Sequence, residues 1–333
     1  LNARSSKSDR CREKGCAPPS PAQMLRRRAV PLVAKLTTVA GATLGGLAPT
    51  PTTSPLLVSA TAFGAANAAG FGISCATGSH VHLDLIGTGA FAVSAALTSG
   101  AEARQFASSA FVGAWAVKLA AFLFYRALQT RHDGRLTDIL STNSGAFGFW
   151  FISFAWGWVV SLPHTLAAGV AVAARPPLGS VATDALGFAA FAGGLLLETV
   201  ADLQKWQFKA DPANKGKFCD AGVWKLSQHP NWAGNLLMWT GITIFNAPTL
   251  LAAAGKGVAA VSGRGLGRLA AACASPLFMV ALFYAQAKGS MGPDMASAKY
   301  GKDARFQAWA KETPLVVPSP AHVWRLVSGG KSD

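Results

Sequence analysis

Acidic charge is what this chain has least of. Only 15 Asp and Glu stand against 30 Lys and Arg, charged residues make up 14% of 333, and hydrophobic residues reach 51%. No acid occurs between Glu13 and Asp84. So little charge excludes an ordinary soluble surface. Cysteines are few and scattered, at 11, 16, 75, 219 and 273. They form no pair of pairs at metal-ligand spacing, and their odd number excludes a closed disulfide framework. They read as isolated thiols, and Cys219 as a modifiable one without a catalytic role. There is no Walker loop, no complete G-x-G-x-x-G, no H-E-x-x-H and no G-x-S-x-G. The run Gly263, Gly265, Gly267 follows no strand pattern and reads as a linker, so a Rossmann cofactor domain is excluded. The net charge of +15 lies in a leader and in short loops rather than in a basic stripe with aromatics, so nucleic acid is not an expected partner.

What is present is apolar sequence in runs long enough to cross a bilayer. Six candidate spans lie at residues 81–99, 106–128, 145–172, 181–200, 234–255 and 266–287, the third with Pro163 inside it and long enough to tilt or kink. The expected fold is therefore all-α, a polytopic membrane bundle of about six transmembrane helices. Residues 1–78 read as a largely disordered targeting leader, 79–325 as the membrane domain and 326–333 as a tail. The leader is basic, with Arg26, Arg27 and Arg28, acid-poor, and rich in Ala, Ser and Thr. That is transit-peptide composition and points to an organelle membrane, chloroplast first, with mitochondrion or endoplasmic reticulum as alternatives. The loop 126–144, the loop 201–233 and the C-terminal tail carry three, five and seven Lys or Arg, against five on the opposite side. The positive-inside rule puts the rich side on the cytosolic or stromal face, where every candidate site residue falls.

Polar residues interrupt the spans. Lys118 sits near the middle of the second, a depth at which an ionisable group is a functional hypothesis, with Glu198 or Asp84 as candidate partner. The plainer reading is a lysine facing a wet bundle interior. His164, after Pro163, reads as a satisfied core histidine before it reads as a cavity lining. The aromatic run 147–160 suits packing and lipid contact, and also a planar polycyclic ligand.

The stretch Leu197 to Trp239 concentrates the chemistry. Glu198, Asp202, Lys205 and Lys209 stand at i, i+4, i+7 and i+11, which puts all four on one face of a continuing helix. Asp211-Pro212 and Asn214-Lys215-Gly216 then break regular structure, and Pro230 suits the first turn of a new helix. The pattern E-x-x-A-D-x-Q-K-x-x-F-K-x-x-P-x-N-K-G-K runs from Glu198 to Lys217. Gly222, Trp224, Ser227, His229, Pro230, Asn231 and Gly234 follow at set intervals. Over these some 37 residues the chain resembles the steroid 5-alpha-reductase-like membrane reductases, the family typified by the C-terminal domain of 3-oxo-5-alpha-steroid 4-dehydrogenases. Three positions depart from it: Gln228 stands for an Arg, Trp232 for a Tyr and Asn235 for an acid. Asp133-Gly134-Arg135 matches a D-x-R element of the family. Tyr300, Gly301, Phe306, Trp309, Thr313, Pro314 and Pro318 hold the places of its closing segment.

The resemblance implies NADPH-dependent reduction of a carbon–carbon double bond in a lipophilic steroid-, sterol- or enone-like substrate, within a membrane. The cofactor-binding residues it implies, together with the residue chemistry, are Asp202, Lys205, Lys209, Asn214, Lys217, Trp224, His229, Asn231, Asn235 and Tyr300. Lysines and a helix N-terminus serve the phosphates, polar side chains the sugars, and Trp224 a ring. His229 and Asp133 are the candidate proton donors. Two other readings are an S-adenosylmethionine-dependent membrane methyltransferase, which shares a related R-H-P-x-Y-x-G element, and a non-catalytic lipid-binding membrane protein. The expected partners are a lipophilic small molecule and membrane lipids.

Overall fold

A computed structural model describes residues 53–79, 81–130, 136, 139–140, 142–252, 263–288 and 295–328. Among these residues the chain is helical and contains no strand. The helices of the bundle are α1 (Pro55–Thr77), α2 (Leu83–Leu97), α3 (Ala103–Thr130), α4 (Asn143–Val160) and the short α5 (Leu162–Ala168), then α6 (Ala182–Ala210), α7 (Pro230–Leu251) and α8 (Gly263–Ala287). Three short helices close the chain: α9 (Met295–Tyr300), α10 (Ala304–Glu312) and α11 (Pro320–Ser328). Local chemistry explains many of the ends. Pro55 and Pro230 open α1 and α7, where the missing N–H is no loss. Thr142 caps α4 by accepting from the Gly145 amide at 3.1 Å.

Four of these helices, α1, α3, α6 and α8, are long and apolar enough to cross a membrane, and α4 with α5 makes a fifth as a pair bent by 55°. The all-α membrane bundle expected from sequence is what the structure contains. The spans are distributed differently from the six expected. α2 has 15 residues and rises about 22 Å, short of a bilayer core of about 30 Å. α7 is long but too polar to qualify, and the reason is its position. It packs against α3, α5, α6 and α8 and buries Asn235, Thr243, Asn246 and Thr249, so it faces protein rather than lipid. The expected kink in the third span is present, at Ser161 and Pro163 between α4 and α5.

The disordered leader through residue 78 is corrected over its last part. α1 carries no charged residue and packs against α2 and α4. Phe63 is fully buried against Phe91, and a Cβ at Gly157 would lie 2.4 Å from its ring. The Ala- and Ser-rich composition that reads as a transit peptide is here the small-residue face of a packed helix. Residues 1–52 lie outside the described residues.

α3 and α6 run parallel and face each other in a heptad register. Arg104 pairs with Asp184 at 2.6 Å, the Phe111 and Phe191 rings stack at 4.5 Å, and Lys118 pairs with Glu198 at 2.7 Å. Each rung lies seven residues beyond the last on both helices, so all three share one face of each. α7 lies antiparallel against α6 through glycines. A Cβ at Gly194 would meet the Gly234 carbonyl at 2.5 Å, and one at Gly241 would meet the Gly187 carbonyl at 2.8 Å. That close approach brings the side chains after Gly234 onto Glu198.

Candidate functional site

The site is assembled at the last rung. Glu198 is 3% exposed and holds three donors. Lys118 Nζ lies 2.7 Å from Oε2, while Asn235 Nδ2 and Trp115 Nε1 donate to Oε1 at 2.8 and 3.3 Å. One turn further along α6, Asp202 accepts from Asn231 Nδ2 at 3.3 Å and lies 4.0 Å from Lys118. The expected stripe is real: Glu198 and Asp202 line up with Lys205 and Lys209 on one face of α6. Of the two partners proposed for Lys118, Glu198 is the one it meets. The amide oxygens of Asn231 and Asn235 are buried and accept no hydrogen bond among the described residues. A buried acceptor without a donor costs about 1–3 kcal/mol, so two of them beside an ion pair suit a ligand bearing hydroxyl or amide N–H groups.

The remaining candidates divide into those that build the site and those outside it. Lys205 Nζ sits 4.3 Å over the ring of Trp224. Trp224 is buried and donates Nε1–H to the Ala201 carbonyl at 3.0 Å, so the ring expected to stack on a cofactor is packed beneath a lysine and ties the loop to α6. The turn carrying it needs Gly222, at φ 57°, because a Cβ there would meet the Gln204 amide at 2.3 Å. Gln204 in turn accepts from the Val223 amide at 2.9 Å. Lys209 donates to the Tyr300 hydroxyl at 2.7 Å and to the Lys217 carbonyl, which joins three expected residues at the exposed rim. Lys217 takes part through its backbone. Asn214 is not drawn in; its amide bonds to Asp211 at 3.3 Å. The His229 ring stacks on Trp232 at 4.0 Å and 9°, and Trp232 stacks on Phe283 of α8 at 5.0 Å. Trp232 thus exchanges a phenol hydroxyl for an aromatic slab. Asp133 and its Arg135 neighbour lie outside the described residues.

Gln228, where the resembled family has Arg, is a latch. Its Nε2 donates to the carbonyls of Ala310 and Thr313 at 2.8 and 2.7 Å, and its backbone N–H donates to Pro314 O at 2.9 Å. Ser227 Oγ adds a bond to Val316 O at 2.7 Å. The closing segment is strapped over the loop in this way, with Phe218, Tyr300, Phe306 and Trp309 clustered beneath it. Cys219 is buried on the other side of the loop, with Ala201 and Trp224, and burial pushes its thiol above the ordinary range.

Lys118 and Glu198 belong to this site although the resemblance implies no cofactor role for them, and Trp115 and Gln204 are added by the structure. The signal was available. Arg104 and Lys118 are spaced by 14 residues, as are Asp184 and Glu198, with opposite signs and a Phe midway on each helix. An apolar depression of about 310 Å³, walled by Phe111, Leu178, Phe188 and Phe245, lies beside the Arg104–Asp184 pair and includes none of the expected site residues.

A helical membrane protein with a polar, cation-rimmed site at one end of its bundle is the class these features define. Residues 70–313 match the family described as protein of unknown function (DUF1295), and the chain belongs to that family, a steroid 5-alpha-reductase-like membrane family. A stretch of 60 residues is 38% identical to a probable O-methyltransferase, ustE, of Ustilaginoidea virens. That stretch is 18% of this chain and 21% of the relative, so the chain spans about a fifth of the relative's length. No solved structure matches the chain.

Proposed function

We propose that the chain is a membrane-embedded reductase that uses NADPH to saturate a carbon–carbon double bond in a lipophilic, enone-like substrate. One observation carries the reading. The α6 stripe joins a largely buried polar cluster (Glu198, Asp202, Asn231 and Asn235, with the Lys118 ammonium), whose two amide oxygens lack a donor among the described residues, to exposed cations at Lys205 and Lys209. That order suits a dinucleotide, whose carboxamide and ribose hydroxyls donate hydrogen bonds and whose phosphates need positive charge. Asn231 and Asn235 would accept from those donors, and Lys209 with Tyr300 would hold the phosphate end. Bound NADPH would supply a hydride to the alkene carbon. A proton must then reach the neighbouring carbon, and His229, held flat by Trp232, is the group assigned to deliver it. Asp133 remains the second candidate for this role.

Methyl transfer from S-adenosylmethionine is the second reading, supported by the similarity to the probable O-methyltransferase. Parallel titration of detergent-purified protein with the two cofactors separates them. The reductase reading expects NADPH to bind, and Lys209→Ala to weaken it about tenfold or more, the worth of a charge-assisted contact. His229→Ala should weaken NADPH binding as well and abolish turnover of an enone. Selective S-adenosylmethionine binding moves the assignment to methyl transfer. A folded sample that binds neither leaves a non-catalytic lipid-binding role.

A further inference from the structure

The closing helix carries an apolar face that is exposed among the described residues. α11 buries His322 but leaves Trp324 71%, Leu326 42% and Val327 76% exposed, with Arg325 exposed among them. Its attachment is nonetheless specific. His322 is 2.9 Å from the Lys225 carbonyl through Nε2, and its backbone N–H donates to Ser319 Oγ at 3.2 Å. Just upstream, Val316 is fully buried and accepts from Ser227. The helix is therefore bonded to the same loop that carries Gln228 and His229.

The height of that loop relative to a bilayer follows from α6. About 20 helical residues cross the hydrocarbon core, which from Ala182 reaches Ala201 and Asp202. The start of α7 lies at this level, because Asn231 bonds to Asp202 and a Cβ at Gly234 would meet the backbone of Glu198 at 2.6 Å. Lys225 lies five residues before Pro230, so the helix bonded to it stands at the edge of the bilayer, on the side richest in Lys and Arg. At nine residues, about 14 Å, α11 is far too short to span. Its three bare apolar side chains are also too few for a stable contact with a second copy, which needs on the order of 800 Å² from each partner.

We propose that α11 lies on the anionic lipid surface of this side. Trp324 and Val327 enter the boundary between headgroups and acyl chains, and Arg325 meets headgroup phosphates. His322 then makes the helix a tether between the lipid surface and the site loop. The occupant is identified by its chemistry: an apolar boundary with negative charge directly above it.

The test uses the full chain in nanodiscs of phosphatidylcholine and phosphatidylserine, with lipids brominated near the top of the acyl chain. The emission of Trp324 is obtained as the difference between wild type and Trp324→Phe, a change that leaves the fold's bonds untouched. That difference should be blue-shifted and lose most of its intensity to brominated lipid. Val327→Glu should restore it. A difference emission indifferent to bromine and quenched by aqueous acrylamide would overturn the proposal, as would one protected from both in a disc shown to hold two copies.

Discussion

Two ion pairs join α3 to α6 in the same register, 14 residues apart, yet their surroundings are opposite in kind. At one end Arg104 is 1% exposed and fully coordinated. Nε donates to Pro176 O, Nη1 to Phe245 O, and Nη2 to Pro177 O and Asp184 Oδ2, at 2.7 to 3.1 Å. Asp184 also accepts from the Gly179 amide at 2.7 Å, so this pair locks a loop and a helix start onto the bundle. At the other end Lys118 remains partly exposed, Glu198 is shared with Trp115 and Asn235, and two neighbouring amide oxygens have no donor among the described residues. One geometry therefore serves two purposes. The difference lies in the cation: Arg104 is bonded on every side and clamps, with Asp184 Oδ1 met by the ion pair alone, whereas Lys118 is partly exposed beside amide oxygens that no described residue fills.

The largest expected effect breaks that comparison if it fails. Arg104→Met leaves Asp184 buried without its partner and should cost about 3–5 kcal/mol of stability, read by unfolding in detergent. Lys118→Met should cost clearly less while lowering NADPH affinity. Equal losses of stability would mean both rungs are clamps. Next comes the helix contact that delivers Asn235 to Glu198. Gly234→Ala forces a methyl against the Glu198 backbone and should destabilise by about 1–3 kcal/mol. Gly193→Ala, with open space at its Cβ, should be close to neutral in the same assay.

Gln228→Ala removes two hydrogen bonds to the tail and should cost about 1–2 kcal/mol, seen as faster proteolysis or hydrogen exchange between residues 304 and 316. Unchanged exchange there would show that Ser227 and the Phe218 cluster hold the strap without it. The smallest effect concerns Cys219. Burial and a raised thiol pKa lower its thiolate fraction at neutral pH, so maleimide labelling should be slow in the native state. Labelling should speed up as pH rises toward the thiol's shifted range, and also in Gln228→Ala if the strap shields the site.

How much could be read in advance follows from the range of each interaction. The stripe from Glu198 to Lys209 needed only helical periodicity, and the turn at Asp211-Pro212 only local backbone chemistry, so both were legible. α1 was not, because its Ala, Ser and Gly residues carry the same composition whether they form a leader or a close-packed helix; only contacts such as Phe63 on Phe91, and Gly70 against the Trp150 ring, distinguish the two. Trp224 was assigned to a cofactor ring because an aromatic in a polar loop suggests stacking. Its partners, Ala201 and Lys205, lie about twenty residues away and claim it for the loop's own support. Gln228 looked like a lost charge, and its tie to a segment 82 residues downstream could not be seen from its neighbours.

By itself, then, the sequence determined that this is a helical membrane protein and where its polar stretch lies, because hydropathy and turn chemistry are sums over adjacent residues. Tertiary structure alone decided which helices face lipid, that Lys118 belongs to Glu198, and that the tail straps the site loop. Those outcomes depend on register between helices far apart in the chain. The glycine contact at Gly194 and Gly234 is one case: it sets the register of α7 on α6, and so brings Asn235 to Glu198, which no local property of either helix reveals.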